Sequence, residues 1–138
     1  MIKKSKNHSF GMAWISLCVA LAIHVTDEAL TDFLSVYNPA VTAIRENFPL
    51  FPLPTFSFEN WLTGLIIAVI FLLLLSPFAF RRAKWMIPLS YFFGIFMILN
   101  GLGHFAGSLY LGRFMPGVYS SPLLLIAAVY LISSVQKR

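Results

Sequence analysis

The sequence has few charged residues and only one cysteine. Charged residues make up 11% of its 138 residues, whereas 59% are hydrophobic. So short a chain cannot hide that many apolar side chains inside a soluble globule, because much of its surface would stay in water. The single cysteine, Cys18, excludes an intrachain disulfide. The composition therefore predicts an integral membrane protein whose apolar side chains face lipid.

Several familiar catalytic and nucleotide-binding signatures are missing. The helical zinc signature H-E-x-x-H does not occur, so the sequence gives no support to a metalloprotease of that kind. It also lacks a P-loop and a dinucleotide-binding glycine pattern, since Gly101 and Gly103 lie inside an apolar stretch. The basic residues form short clusters between apolar runs, and we therefore expect no nucleic acid partner.

Four apolar stretches are long enough to cross a membrane as helices, which takes about 20 residues each. They lie near residues 10–30, 61–80, 85–111 and 118–135. The sequence thus predicts an all-α membrane protein with one domain, residues 1–138, built as a bundle of four transmembrane helices. A Pro- and Phe-rich outer loop, residues 31–60, joins the first two spans. Its prolines predict no regular helix, and we expect it to cover the outer helix ends or to lie in the membrane interface.

Lysine and arginine residues predict the orientation of the spans. They precede the first span, join the second to the third and follow the fourth: Lys3, Lys4, Lys6, Arg81, Arg82, Lys84, Lys137 and Arg138. Because such residues are retained in the cytoplasm, both termini are expected on the cytoplasmic side of the membrane. The rival interpretation is a cleaved signal peptide ending near residues 20–22, which would leave three spans.

Acidic residues are scarce, and three ionisable residues are grouped in the first span. His24, Asp27 and Glu28 are spaced so that one face of a helix carries all of them. Ionisable groups in a membrane helix are costly and usually face protein or a water-filled cavity. With a rise of about 1.5 Å per residue, His24 lies in the outer half of the membrane.

A second polar face follows on the third span, where Asn100, His104 and Ser108 recur at helical spacing. His104 also falls in the outer half of the membrane, so we expect the two histidines to meet across the bundle. Three small residues around His104 would let a neighbouring helix approach closely: Gly101, Gly103 and Gly107.

Two imidazoles and two carboxylates at one depth form the candidate site. His24, Asp27, Glu28 and His104 are candidate ligands of a divalent metal, zinc or iron, and candidate catalytic acids and bases. Three interpretations stay open. The group is the centre of an enzyme that acts on a lipid or other apolar substrate, a proton or solute relay in a carrier, or a structural network in a scaffold. Membrane lipids and an apolar small molecule are the expected partners, and the sequence does not specify an oligomeric state.

These residues together resemble the HXXEE family of small bacterial membrane proteins, whose signature is H-x-x-E-E, a second histidine and Y-x-P-G. The matching residues are His24-Val25-Thr26-Asp27-Glu28, His104 and Phe114-Met115-Pro116-Gly117. Asp27 stands in place of the first glutamate and keeps a carboxylate, whereas Phe114 stands in place of the tyrosine and lacks its hydroxyl. The resemblance implies a polar site at these positions in a bacterial cytoplasmic membrane, and it brings no activity. Pro116 and Gly117 also predict a type II turn before the fourth span.

Overall fold

The structure, a computed structural model, describes residues 2–136. Six helices follow one another along this part of the chain: α1 Ile2–Leu30, α2 Leu34–Asn47, α3 Phe58–Leu74, α4 Ser76–Phe80, α5 Met86–Leu111 and α6 Ser121–Gln136. No strand occurs between residues 2 and 136, which confirms the predicted all-α class. Five of the charges used to predict orientation have side chains outside the described part: Lys3, Lys4, Lys6, Lys137 and Arg138.

Three helical segments are long and apolar enough to cross a membrane, as expected of a membrane protein: Asn7–Leu30, Phe58–Phe80 and Met86–Leu111. α6 is apolar but has only 16 residues, a length of about 24 Å beside a hydrocarbon layer of about 30 Å. It begins at Ser121 and not at residue 118 as predicted, because a turn continues from Pro116 through Ser120. The structure thus confirms three of the four predicted spans as candidates by length and composition.

The second candidate span is interrupted once, at Leu75, between α3 and α4. Pro77 follows two residues later in the first turn of α4, where its missing N–H group costs no hydrogen bond. This span is the least buried of the three, so most of its side chains face the surroundings of the bundle.

α1 is the central helix of the bundle. It packs against α3, α4 and α6, while α5 packs mainly against α6. Its buried side chains include Phe10, Trp14 and Leu17. The indole N–H of Trp14 donates a hydrogen bond to the carbonyl oxygen of Leu72 at 2.9 Å, which joins α1 to α3. This central position means that residues projecting from α1 can meet residues of several other helices.

Small residues bring α5 and α6 together, though only partly at the predicted positions. A Cβ atom at Gly101 would lie 2.9 Å from Cγ of Leu125 in α6, which confirms the predicted close approach there. Gly94 makes a similar contact with α6. The prediction is wrong for Gly103, which has no neighbour within 4 Å, and for Gly107, which faces Met115 in the following loop. The difference arises because α6 crosses only one face of α5.

The segment of residues 31–60 contains the helix α2, so the prediction of no regular helix there is wrong. Pro39 lies within this helix, whereas the remaining prolines of the segment all follow its end. The cost of one internal proline is offset by burial of Leu34 and Val41. The side chain of Asn38 also holds the returning chain, since it accepts from the backbone N–H of Phe56 and donates to its carbonyl oxygen. α2 is therefore fixed to the loop that leads into α3.

Candidate functional site

Three ionisable side chains converge between α1 and α5. Nε2 of His24 lies 3.2 Å from Nε2 of His104, and Oε1 of Glu28 lies 3.1 Å from Nε2 of His104 and 3.6 Å from Nε2 of His24. His24 and Glu28 are four residues apart on α1, so consecutive helical turns place them on one face. All three residues are at least 95% buried. The structure thus confirms that the two histidines meet across the bundle, and these three residues could hold a metal ion.

A chain of hydrogen bonds orients the His24 ring through Nδ1, the ring nitrogen that does not face Glu28 and His104. Oγ of Ser120 donates to Oδ2 of Asp27 at 2.7 Å, and the backbone N–H of Ser120 donates to the same oxygen at 2.9 Å. The hydroxyl has a single proton, which this short charge-assisted bond takes up. Nδ1 of His24, 2.8 Å from Oγ of Ser120, must therefore donate its own proton to that oxygen. The other ring nitrogen of His24, Nε2, faces Glu28, His104 and the amide oxygen Oδ1 of Asn100.

Asp27 does not join the three converging atoms. It is predicted to share the face of His24 and Glu28, but its carboxylate turns to the start of α6, where it binds Ser120. The carboxylate reaches the site only through the hydroxyl of Ser120. Of the four predicted site residues, the structure thus brings His24, Glu28 and His104 into direct contact and places Asp27 behind His24.

His104 is enclosed on two sides by residues that carry no charge. The ring of Phe33, just before α2, lies over it with 5.7 Å between ring centroids. On another side lies Gly117, where an added Cβ atom would be 2.6 Å from Cε1 of His104 and 2.9 Å from Cγ of Glu28. Nδ1 of His104 is buried and has no hydrogen-bond partner within the described residues. His104 therefore makes its polar contacts through Nε2.

The turn before α6 brings Gly117 against the site. The backbone N–H of Val118 donates to the carbonyl oxygen of Met115, and Gly117 has a φ of +85°. This geometry agrees with the predicted type II turn, in which Pro116 takes the first central position. Ser108, predicted on the face of His104, instead accepts a bond from the backbone N–H of Met115 and thereby fixes the entry to the turn.

An apolar cavity of about 240 Å³ lies beside two of the three converging residues, His24 and Glu28. His24, Glu28 and Asn100 line it together with apolar side chains from α1, α3 and α5. The amide oxygen Oδ1 of Asn100 lies 3.1 Å from Nε2 of His24, as expected from its place one turn before His104. The buried site thus adjoins space that is large enough for part of an apolar ligand.

A comparison with family models matches residues 14–131 to a family described as proteins of unknown function with an HXXEE motif. The chain belongs to the HXXEE family. A search of curated proteins and a search of solved structures each find no match. The matched region includes every residue of the candidate site, from His24 on α1 to the turn before α6.

The geometry gives the HXXEE signature a physical meaning in this chain. The histidine and the second acid of the motif, His24 and Glu28, supply two of the converging atoms, while the first acid, Asp27, orients the histidine through Ser120. Sequence reasoning missed Ser120, because a serine 93 residues from Asp27 is linked to it only by the tertiary fold. Phe33 was missed for the same reason.

Proposed function

We propose that this HXXEE protein is a membrane-embedded enzyme that binds one divalent metal, zinc or iron, through His24, Glu28 and His104 and acts on a lipid or other apolar substrate. The convergence of three ligand atoms at 3.1, 3.2 and 3.6 Å carries the proposal. Ligand atoms at about 2.0–2.1 Å from a tetrahedral zinc ion are about 3.3 Å apart. Two histidines and one carboxylate are also the ligand set of many non-haem iron sites.

Two further features support a metal over a purely structural network. Nε2 of His24, Nε2 of His104 and Oε1 of Glu28 face one another, so two ring nitrogens and one carboxylate oxygen converge on one point. Oriented histidines backed by a hydrogen-bonded carboxylate are typical of metal sites, and here Asp27 supplies that carboxylate through Ser120. A metal with three protein ligands keeps a position for water, which it would activate as a nucleophile.

The alternative functions receive less support. A carrier needs a polar path through the membrane, yet the space on the N-terminal side of His24 along α1 is a void of about 10 Å³ lined by apolar side chains and Trp14. A scaffold would need the polar cluster only for packing, and the cavity beside the cluster then has no use. The cavity that adjoins His24, Glu28 and Asn100 favours an enzyme.

Metal analysis of the purified full chain tests this function. We expect close to one zinc or iron per chain when the protein is prepared without chelator, and loss of that metal in His24→Ala and in His104→Ala. The matched control is His8→Ala, because His8 lies on α1 but is exposed and contacts the ring of Phe80 instead. A metal-free parent protein would contradict the metal site and leave His24, Glu28, His104 and Asp27 only as an acid–base group that shares a proton.

For the membrane arrangement we propose one domain with four spans, α6 being the fourth, and both termini on the cytoplasmic side. α6 packs against α1 and α5, which supports the proposal that it crosses the bilayer beside them. Arg82 binds the carbonyl oxygens of Ser134 and Val135 at the end of α6, so the basic α4–α5 turn lies at that end of the bundle. Cleavage near residues 20–22 would remove most of α1, the central helix. Reporter fusions at each terminus test this topology, and a periplasmic signal from either one would contradict it.

A further inference from the structure

The cavity beside the site has one polar end and one apolar end. Glu28 and Asn100 lie at the polar end, whereas Leu21 and Phe93 lie at the other end, seven residues earlier on α1 and on α5. At about 1.5 Å per residue the two ends are about 10 Å apart along the helix axes. The indole of Trp14, bonded to the carbonyl oxygen of Leu72, closes the space beyond the apolar end. The cavity is thus a short pocket that runs parallel to the helices.

The side of this pocket opens towards lipid. Phe71 of α3 and Phe96 of α5 both line it, and they are 59% and 51% exposed. Neighbouring side chains on the same flank of these helices are exposed and apolar as well, among them Ile67 and Phe92. Because α3 and α5 belong to the candidate membrane spans, a flank of this kind faces the hydrocarbon layer. A ligand can therefore reach the pocket sideways from the bilayer.

We propose that this pocket binds the hydrocarbon chain of a membrane lipid, with the polar group of the lipid beside Glu28 and Asn100 and the chain directed towards Phe93. This is the direction in which a lipid of the nearer leaflet already lies, since its polar group is at the membrane surface and its chain points to the midplane. The lipid enters between Phe71 and Phe96 without turning over, and a chain longer than the pocket extends through the same opening. The reaction at the polar end rests on the proposed metal site, but chain binding itself requires no metal.

Two photoreactive fatty alcohols test the binding and its direction in the full chain reconstituted in phosphatidylcholine nanodiscs. One carries a diazirine near the hydroxyl group and the other near the chain end. We expect the first to label residues around Leu65 and Asn100 and the second to label residues around Leu72 and Phe93, as mapped by peptide mass spectrometry. The opposite order, or equal labelling of both regions by each probe, would overturn the proposed orientation.

A cavity-filling variant separates this pocket from the general lipid surface. Ala68 lines the pocket, so Ala68→Trp should abolish the labelling, whereas Ile70→Trp, at an exposed position of the same helix that lines a different cavity, should leave it unchanged. Unaltered metal content of Ala68→Trp would show that the variant is folded. Labelling that persists in Ala68→Trp would overturn the proposal.

Labelling of His104→Ala distinguishes this inference from the proposed function. Retained labelling in a variant that has lost its metal supports a pocket that acts independently of the metal. If the parent protein binds metal but neither probe labels the pocket, the lipid proposal fails while the metal site stands.

Discussion

Nε2 of His24 and Nε2 of His104 lie 3.2 Å apart inside the helix bundle. Two imidazole nitrogens at this distance share one N–H proton in a hydrogen bond or bind a common cation. The hydrogen bond from Nδ1 of His24 to Ser120 turns Nε2 inward, and Glu28 places a carboxylate oxygen 3.1 Å from Nε2 of His104. Three ligand atoms therefore converge inside the bundle, and these residues could hold a metal ion.

The orienting role of Ser120 predicts a change in metal affinity. Ser120→Ala removes the acceptor for Nδ1–H of His24 and leaves that buried group unpaired. We expect metal binding to weaken about 10–100-fold, the usual effect of losing a partner that orients a ligand. Competition with a chromophoric chelator measures the change.

The neighbouring serine provides the control for this prediction. Ser121→Ala removes a buried hydroxyl that donates to the carbonyl oxygen of Gly117 and does not touch His24. Its metal affinity should stay close to that of the parent protein. Equal weakening in both serine variants would indicate a general effect on the start of α6 and would contradict the orienting role.

The contact of Gly117 with the site predicts that Gly117→Ala loses more stability than backbone strain alone would cause. Gly117 and Gly112 both have positive φ, +85° and +62°, so alanine at either position is strained, by about 1–2 kcal/mol. An added Cβ atom at Gly117 would also meet His104 and Glu28, whereas at Gly112 it would meet nothing within 4 Å. We expect Gly117→Ala to lower the thermal unfolding midpoint in detergent further than Gly112→Ala and to lose metal, while Gly112→Ala retains metal. Equal unfolding midpoints and equal metal content of the two variants would show that backbone strain alone explains the loss.

Helical periodicity was sufficient to predict the direct contacts within the site. The four-residue spacing places His24 and Glu28 on one face, and the depth of His104 along its own helix brings it level with them. The side to which Asp27 turns depends on where α6 begins, and hydropathy gives that boundary only to within a few residues. Ser120 could not be predicted, because its role arises only when the turn at Gly117 folds it back towards α1.

The segment before α3 shows where local composition fails to predict the fold. Its prolines argued against a helix, yet only Pro39 lies within α2, and the helix buries Leu34 and Val41. Local composition describes the average of such a segment, whereas a helix of 14 residues depends on where each proline falls. The contact of Phe33 with His104 depends on this helix, so local sequence patterns could not predict it either.

Arg82 predicts a stability effect at the opposite end of the bundle. Its guanidinium donates to the carbonyl oxygens of Ser134 and Val135 and lies 5.3 Å from the centroid of the Phe10 ring. Capping of a helix C-terminus and a cation–π contact together suggest that Arg82→Ala loses about 1–2 kcal/mol of unfolding free energy. The adjacent Arg81 is exposed, so Arg81→Ala serves as the charge-matched control and should be near neutral. Thermal unfolding in detergent compares the two, and an equal loss would assign the effect to net charge.

A double-mutant cycle decides whether Asp27 is a metal ligand or a positioning residue. If its carboxylate acts on the metal only through the hydroxyl of Ser120, the effect of Asp27→Ala should disappear in a chain that already carries Ser120→Ala. The double variant would then bind zinc about as weakly as Ser120→Ala alone. If Asp27 contributes a ligand atom, as its spacing from His24 first suggested, the two losses should add in free energy and the double variant should bind more weakly than either single variant. The distances favour the first outcome, because Oδ2 of Asp27 is 2.7 Å from Oγ of Ser120 and His24 lies on the far side of that oxygen.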